Sequence, residues 1–88
     1  MNEKKFNVRF HHPLEDRTME LALPASVRFS EILKLLYNKG FIEKKSADYG
    51  LIIGKRLCAL NKSLSSYVPL DFEGVIEIEL NGLLTIMS

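Results

Sequence analysis

From Phe6 the chain alternates, with Phe6, Val8 and Phe10 on one side and Asn7, Arg9 and His11 on the other, the period of a half-buried strand. Pro13 ends that run, Leu14-Glu15-Asp16-Arg17 is polar enough to turn, and Thr18 to Leu23 alternates again with Met19, Leu21 and Leu23 on one face. Two such runs joined by a short loop predict a hairpin. After Pro24 the apolar residues Phe29, Ile32, Leu33 and Leu36 recur at spacings of three and four, which predicts an amphipathic helix. Ser26 and Ser30 are both suitable caps for its start. Asn38-Lys39-Gly40 stops it, because Gly40 accepts a left-handed conformation and Lys39 suits the carbonyl end of the dipole. Glu43 to Asp48 reads as a solvated charged connector. Leu51-Ile52-Ile53 and Arg56 to Leu60 flank Gly54-Lys55 as two short strands around a tight turn. Leu64 and Tyr67 are spaced to point inward from a single helical turn, and Val75 to Leu80 is a strand with Ile76, Ile78 and Leu80 inward and Glu77 and Glu79 outward.

Each strand in this order has one apolar face to bury, and only one helix is available to cover them. A single mixed sheet of four to five strands wrapped around that helix meets both demands, with the last strand beside the first. The expected class is therefore α+β, a β-grasp. A ferredoxin-like alternative needs a second full helix, and Lys62 to Asp71 is too short to supply one.

The run Leu51-Ile52-Ile53-Gly54-Lys55-Arg56-Leu57, followed by Lys62-Ser63-Leu64-Ser65-Ser66-Tyr67, resembles the ubiquitin pattern in which Leu-Ile-Phe-Ala-Gly-Lys-Gln-Leu precedes Thr-Leu-Ser-Asp-Tyr, with one residue deleted in the turn. With the order of elements the resemblance spans about Phe6 to Leu80. Within this ubiquitin-like superfamily the opening strand, the run Leu21-Ala22-Leu23-Pro24-Ala25 and the helix are similar to the small bacterial YukD or EsaB type, which accompanies type VII secretion machinery. That resemblance implies an unconjugated protein that regulates or assembles with a secretion apparatus.

Composition narrows the picture further. Eighty-eight residues with 47% hydrophobic content fit one self-sufficient core, expected over residues 1–80, with an apolar tail at 81–88 that is mobile or binds a partner. A net charge of +1 from 12 Lys and Arg against 11 Asp and Glu disfavours nucleic acid as a partner. No apolar run approaches the length of a bilayer span, so no membrane insertion is expected. The single Cys58 offers no internal disulfide, and no signal-peptide pattern opens the chain, which makes the cytoplasm the expected location.

Ubiquitin and the sulfur carriers work through a terminal Gly-Gly, whereas this chain ends Asn81-Gly82-Leu83-Leu84-Thr85-Ile86-Met87-Ser88, which argues against conjugation. Asn81-Gly82 is also a hairpin signal, but a central last strand leaves a sixth strand nowhere to pair within the sheet, and the tail is then a segment for self-association. His11 and His12 point to opposite faces of a strand and share no metal readily. Cys58 reads as a buried structural thiol, and no catalytic set, phosphate loop or cofactor motif is present in the sequence. The expectation is a non-catalytic protein-binding module without cofactor or metal, its partner another protein such as a secretion-complex component. The alternative is an accessory subunit of a multicomponent enzyme such as a bacterial oxygenase. The ubiquitin resemblance implies binding through the outer sheet face, where Ile52 falls at the matching apolar position, ringed by Glu77 and Glu79 with Arg9 and Lys55 nearby. Carboxylates there should repel receptors built for ubiquitin's apolar patch.

Overall fold

The computed structural model describes residues 4–43 and 49–81. β1 (Lys5–His11) and β2 (Thr18–Pro24) form the first hairpin, with Phe6 opposite Leu23, Val8 opposite Leu21 and Phe10 opposite Met19. The turn between them is tied by the side chain of His12, whose Nδ1 accepts the backbone N–H groups of Leu14 and Glu15 at 3.1 and 3.0 Å. His12 thus lies one residue past the end of β1 and serves the turn, where the sequence pattern put it on a strand face opposite His11.

α1 (Phe29–Asn38) buries Phe29, Ile32, Leu33 and Leu36, the stripe read from the sequence. Neither candidate serine caps it: the N-cap is Arg28, Ser26 lies before it and Ser30 falls inside the first turn. The first amides find other acceptors, because Phe29 N–H donates to the Lys62 carbonyl at 3.1 Å and Ser30 N–H to the Leu60 carbonyl at 3.0 Å. With those donors satisfied by distant backbone, a capping side chain is not needed. At the other end Gly40, at φ +75°, lets Phe41 N–H reach the Leu36 carbonyl and its own N–H reach that of Tyr37, a Schellman closure.

β3 (Gly50–Ile53) turns through Gly54, at φ +63°, into β4, which covers only Arg56–Leu57 and not the predicted run to Leu60. Cys58 N–H still bonds the Leu51 carbonyl at 2.8 Å, but Leu60 and Lys62 are drawn off to the start of α1, so pairing with β3 stops. Cys58 is buried, as expected, though just beyond a strand and not within one. A single 3₁₀ turn, Leu64–Ser66, buries Leu64, and the Tyr67 ring meets Phe29 edge-on at 5.4 Å between centroids. β5 (Val75–Asn81) closes the sheet, parallel to β1 and antiparallel to β3, in the order β2-β1-β5-β3-β4.

Among the described residues, five strands in one mixed sheet around one α-helix are the α+β arrangement predicted from the pattern. Its core joins Val8, Phe10, Leu51 and Ile78 from the sheet to Ile32 and Leu36 from the helix, all fully buried. Asn81 is still paired, opposite Gly50, so the sheet runs one residue past the expected boundary at 80. The rest of the expected tail, 82–88, and the connector residues 44–48 lie outside the described residues.

Candidate protein-binding surface

The face of the sheet turned away from α1 is set by strand parity, and the registers place its side chains in rows. One row crosses β2, β1 and β5 as Glu20, Arg9, Glu77. The next crosses all five strands as Thr18, His11, Glu79, Ile52, Leu57. Both rows follow from the alternation that buries Phe10 and Ile78 on the opposite side.

The first row is an ion-pair network. Arg9 Nε donates to Glu20 Oε2 at 3.0 Å, and its Nη1 donates to Glu77 Oε2 at 2.8 Å. The second oxygen of Glu77 pairs with His11 Nε2. The hydrogen bond from His11, with Arg9 adding to it, holds the Glu77 carboxyl below the ordinary carboxylate value, against a smaller opposing effect of burial. The same network raises Arg9, through its hydrogen bond to Glu20 first and the charge of Glu77 next. These groups are solvent-exposed, so the network organises the surface more than it stabilises the fold.

Of the residues singled out from sequence, Arg9 and Glu77 are brought into direct contact, and Glu79 stands beside Ile52 on the neighbouring strand. Arg9 does not adjoin Ile52, since β5 lies between their strands. Lys55 is exposed in the turn between β3 and β4. Sequence reasoning missed His11, Glu20 and Leu57 as members of this surface. The parity of β2 marks Glu20 as outward, and the tight turn at Gly54 sets Leu57 against Ile52; both signals were in the sequence. Leu57 is 56% exposed and Ile52 is half-buried, so together they form an apolar pair at the β3–β4 end of the face, beside the polar residues Glu79 and His11 of the same row.

Elsewhere, a cleft of about 250 Å³ opens between the β1–β2 loop and the segment after α1, lined by His12, Arg17, Phe41 and Tyr49 among others. Arg17 is committed to structure there: it donates to the Phe41 carbonyl at 2.9 Å, lies over the Phe41 ring and pairs with Glu15 at 2.8 Å. Among the described residues no three His, Cys, Asp or Glu side chains gather to hold a metal, and no helix is long and apolar enough to cross a membrane. Burial pushes the Cys58 thiol up from its usual value, away from the thiolate that a nucleophile requires.

No protein family model and no curated protein matches this sequence. In three dimensions 138 solved chains match it, enough that the shape alone selects no partner. One is a de novo design based on ubiquitin, 15% identical, with a TM-score of 0.68 over 91% of this chain and 90% of its own. Another was described under the heading "Molecular Mimicry of SUMO promotes DNA repair"; it is 11% identical, with a TM-score of 0.69 over 91% of this chain and 94% of its own. Together with the strand order and the helix the sheet packs on, these likenesses give the chain the ubiquitin-like β-grasp fold.

Proposed function

We propose that this protein is a non-catalytic interaction module that receives a partner protein on the outer sheet face, centred on Ile52 and Leu57. The observation that carries the proposal is the placement of these two apolar side chains, adjacent across β3 and β4, on a face whose far end is closed by the Arg9, Glu20, Glu77 and His11 network. An apolar anchor beside a polar rim is the usual anatomy of a recognition surface. Glu79, directly beside Ile52, sets the selectivity: a receptor must offer that carboxylate a donor, so one built for a wholly apolar patch is rejected. Glu77 and Arg9 form the rim, and Lys55 stands at the turn where a partner's acidic group is favoured. The similarity of the opening strand, residues 21–25 and the helix to the YukD type supports a component of a bacterial type VII secretion complex as the partner.

Affinity capture from the native cell, using the wild-type protein and Ile52→Arg, tests the site. The expected result is a partner captured by the first and lost with the second while the variant keeps its fold by circular dichroism. Equal recovery by both removes the sheet face as the binding site, and a captured partner unrelated to secretion removes the assignment of its class.

A further inference from the structure

A second surface lies at the margin of the sheet. The hydrogen-bonding phase of the first hairpin is fixed at both ends, by His12 N–H to the Arg17 carbonyl at 3.0 Å and by Ala25 N–H to the Lys4 carbonyl at 2.9 Å. Alternation between those points turns the backbone groups of Met19, Leu21 and Leu23 toward β1. The N–H and C=O groups of Thr18, Glu20 and Ala22 then face away from the sheet. β2 is the outermost strand, and no backbone group among the described residues pairs with them.

Proteins usually close such a margin with a bulge, an inward-facing charge, proline or a very short strand. Here the register is unbroken over seven pairs, the inward residues Met19, Leu21 and Leu23 are apolar, and the strand's one proline is its last residue. The one charge, Glu20, is turned onto Arg9. The opposite margin, β4, has only two residues and offers no comparable ladder.

We infer that the β2 margin docks an extended strand of a partner protein, with apolar side chains on its core side and a lysine or arginine facing Glu20. Such a strand extends the sheet through the three open rungs and covers the half-buried Met19 and Leu21. The cation is favoured by local charge: Glu20, Glu77 and Glu79 gather around Arg9 and His11, and the other cation on this face of β1, Lys5, stands four residues away opposite Pro24. A second copy of the chain fits less well. Antiparallel pairing of β2 with itself uses all three rungs only when centred on Glu20, which sets two carboxylates opposite each other. Shifting by one pair in one direction brings Pro24 opposite Thr18, and Pro24 has no N–H and a carbonyl already taken by Val27; shifting in the other leaves Ala22 beyond the end of the other copy's strand, so that only the rungs of Thr18 and Glu20 are used.

The test is an NMR titration of the isotope-labelled protein with a capped peptide of alternating lysine and valine, compared with one of alternating glutamate and valine. The lysine peptide is expected to shift the amides of Thr18, Glu20 and Ala22 and slow their hydrogen exchange, leaving Leu57 unchanged. Ala22→Pro removes an outward N–H without touching the bonds to β1, and should weaken binding about tenfold. Ile52→Arg should leave the affinity unchanged, which separates this margin from the sheet-face site. Glu20→Lys, which retains every backbone donor, should transfer the preference to the glutamate peptide. Equal binding of both peptides, shifts centred on Ile52 and Leu57, or silence at the β2 amides would overturn the inference. So would a dimer in sedimentation without peptide that Ala22→Pro dissolves, which gives the margin to a second copy.

Discussion

Ile78 and Ile52 sit on adjacent strands, one facing the helix and the other facing solvent, so the same truncation at each separates core from surface. Ile78 is fully buried on β5 between Phe10 of β1 and Ile53 of β3. Replacing it by alanine removes buried carbon and leaves a cavity at the centre of the sheet, where neighbours on both sides are held by backbone hydrogen bonds and collapse poorly. Such a change costs about 2–5 kcal/mol. A domain of this size has roughly 4–13 kcal/mol in all, so the loss is a large share of the total. The melting temperature should fall by about 15–25 °C at a mid-range loss. Ile52→Ala, half-buried and outward, should cost under about 1 kcal/mol. Urea denaturation followed by circular dichroism measures both, and the transition slope reports whether the unfolded reference has changed. A cost for Ile52→Ala equal to that of Ile78→Ala would refute the assignment of the two faces, and with it the reading of Ile52 as a residue kept for binding.

Further expectations follow from the charge network, the thiol and the turn. The Glu77 carboxyl is depressed in the folded state, so its contribution is complete above the unfolded value near 4.5 and is lost as the pH falls through the lower folded value. Glu77→Gln should therefore flatten the decline in stability on acidification, and in the wild type the side-chain carbon of Glu77 should titrate below 4.5 by NMR. Cys58 is 3% exposed with its thiol pushed up, so a disulfide reagent should modify the native protein at least about a hundredfold more slowly than the protein in urea. Comparable rates would show that the β4 end of the sheet opens freely. Gly54→Ala forces a side chain into φ +63° and should cost about 1–2 kcal/mol in urea denaturation, although a Cβ there meets nothing within 4 Å. A neutral result would mean that the turn changes its conformation to accept alanine.

The elements were legible wherever apolar periodicity was strong. The alternation through Phe6, Val8 and Phe10, the stripe from Phe29 to Leu36, and Ile76, Ile78 and Leu80 each appear in the structure with the buried side that the pattern gave. What could not be read was backbone bonding between distant segments. The start of α1 has no capping side chain because Leu60 and Lys62 supply carbonyls from across the fold, and β4 ends early for the same reason. No local pattern encodes that exchange. The candidate site divides along the same line: parity placed Glu77 and Glu79 outward and the ubiquitin resemblance put Ile52 on the same face, but the pairing of Arg9 with Glu20 as well as Glu77 needs the register between three strands. His12 shows the limit of residue-type reasoning, since its ring nitrogen accepts two amide hydrogens and fixes a turn that composition alone ascribed to Leu14 through Arg17.

The parallel contact of β1 with β5 joins residues 7–11 to 75–79. During synthesis the first strand must wait until residues 75–79 are made before its central neighbour exists, while the first hairpin and the helix can form early. The partly made chain thus presents both flanks of β1–β2 to its surroundings, and sheet completion becomes a late, all-at-once event with a large loop to close. A nascent-chain arrest series should therefore show protease resistance arising in one step, only after Asn81 has left the ribosome.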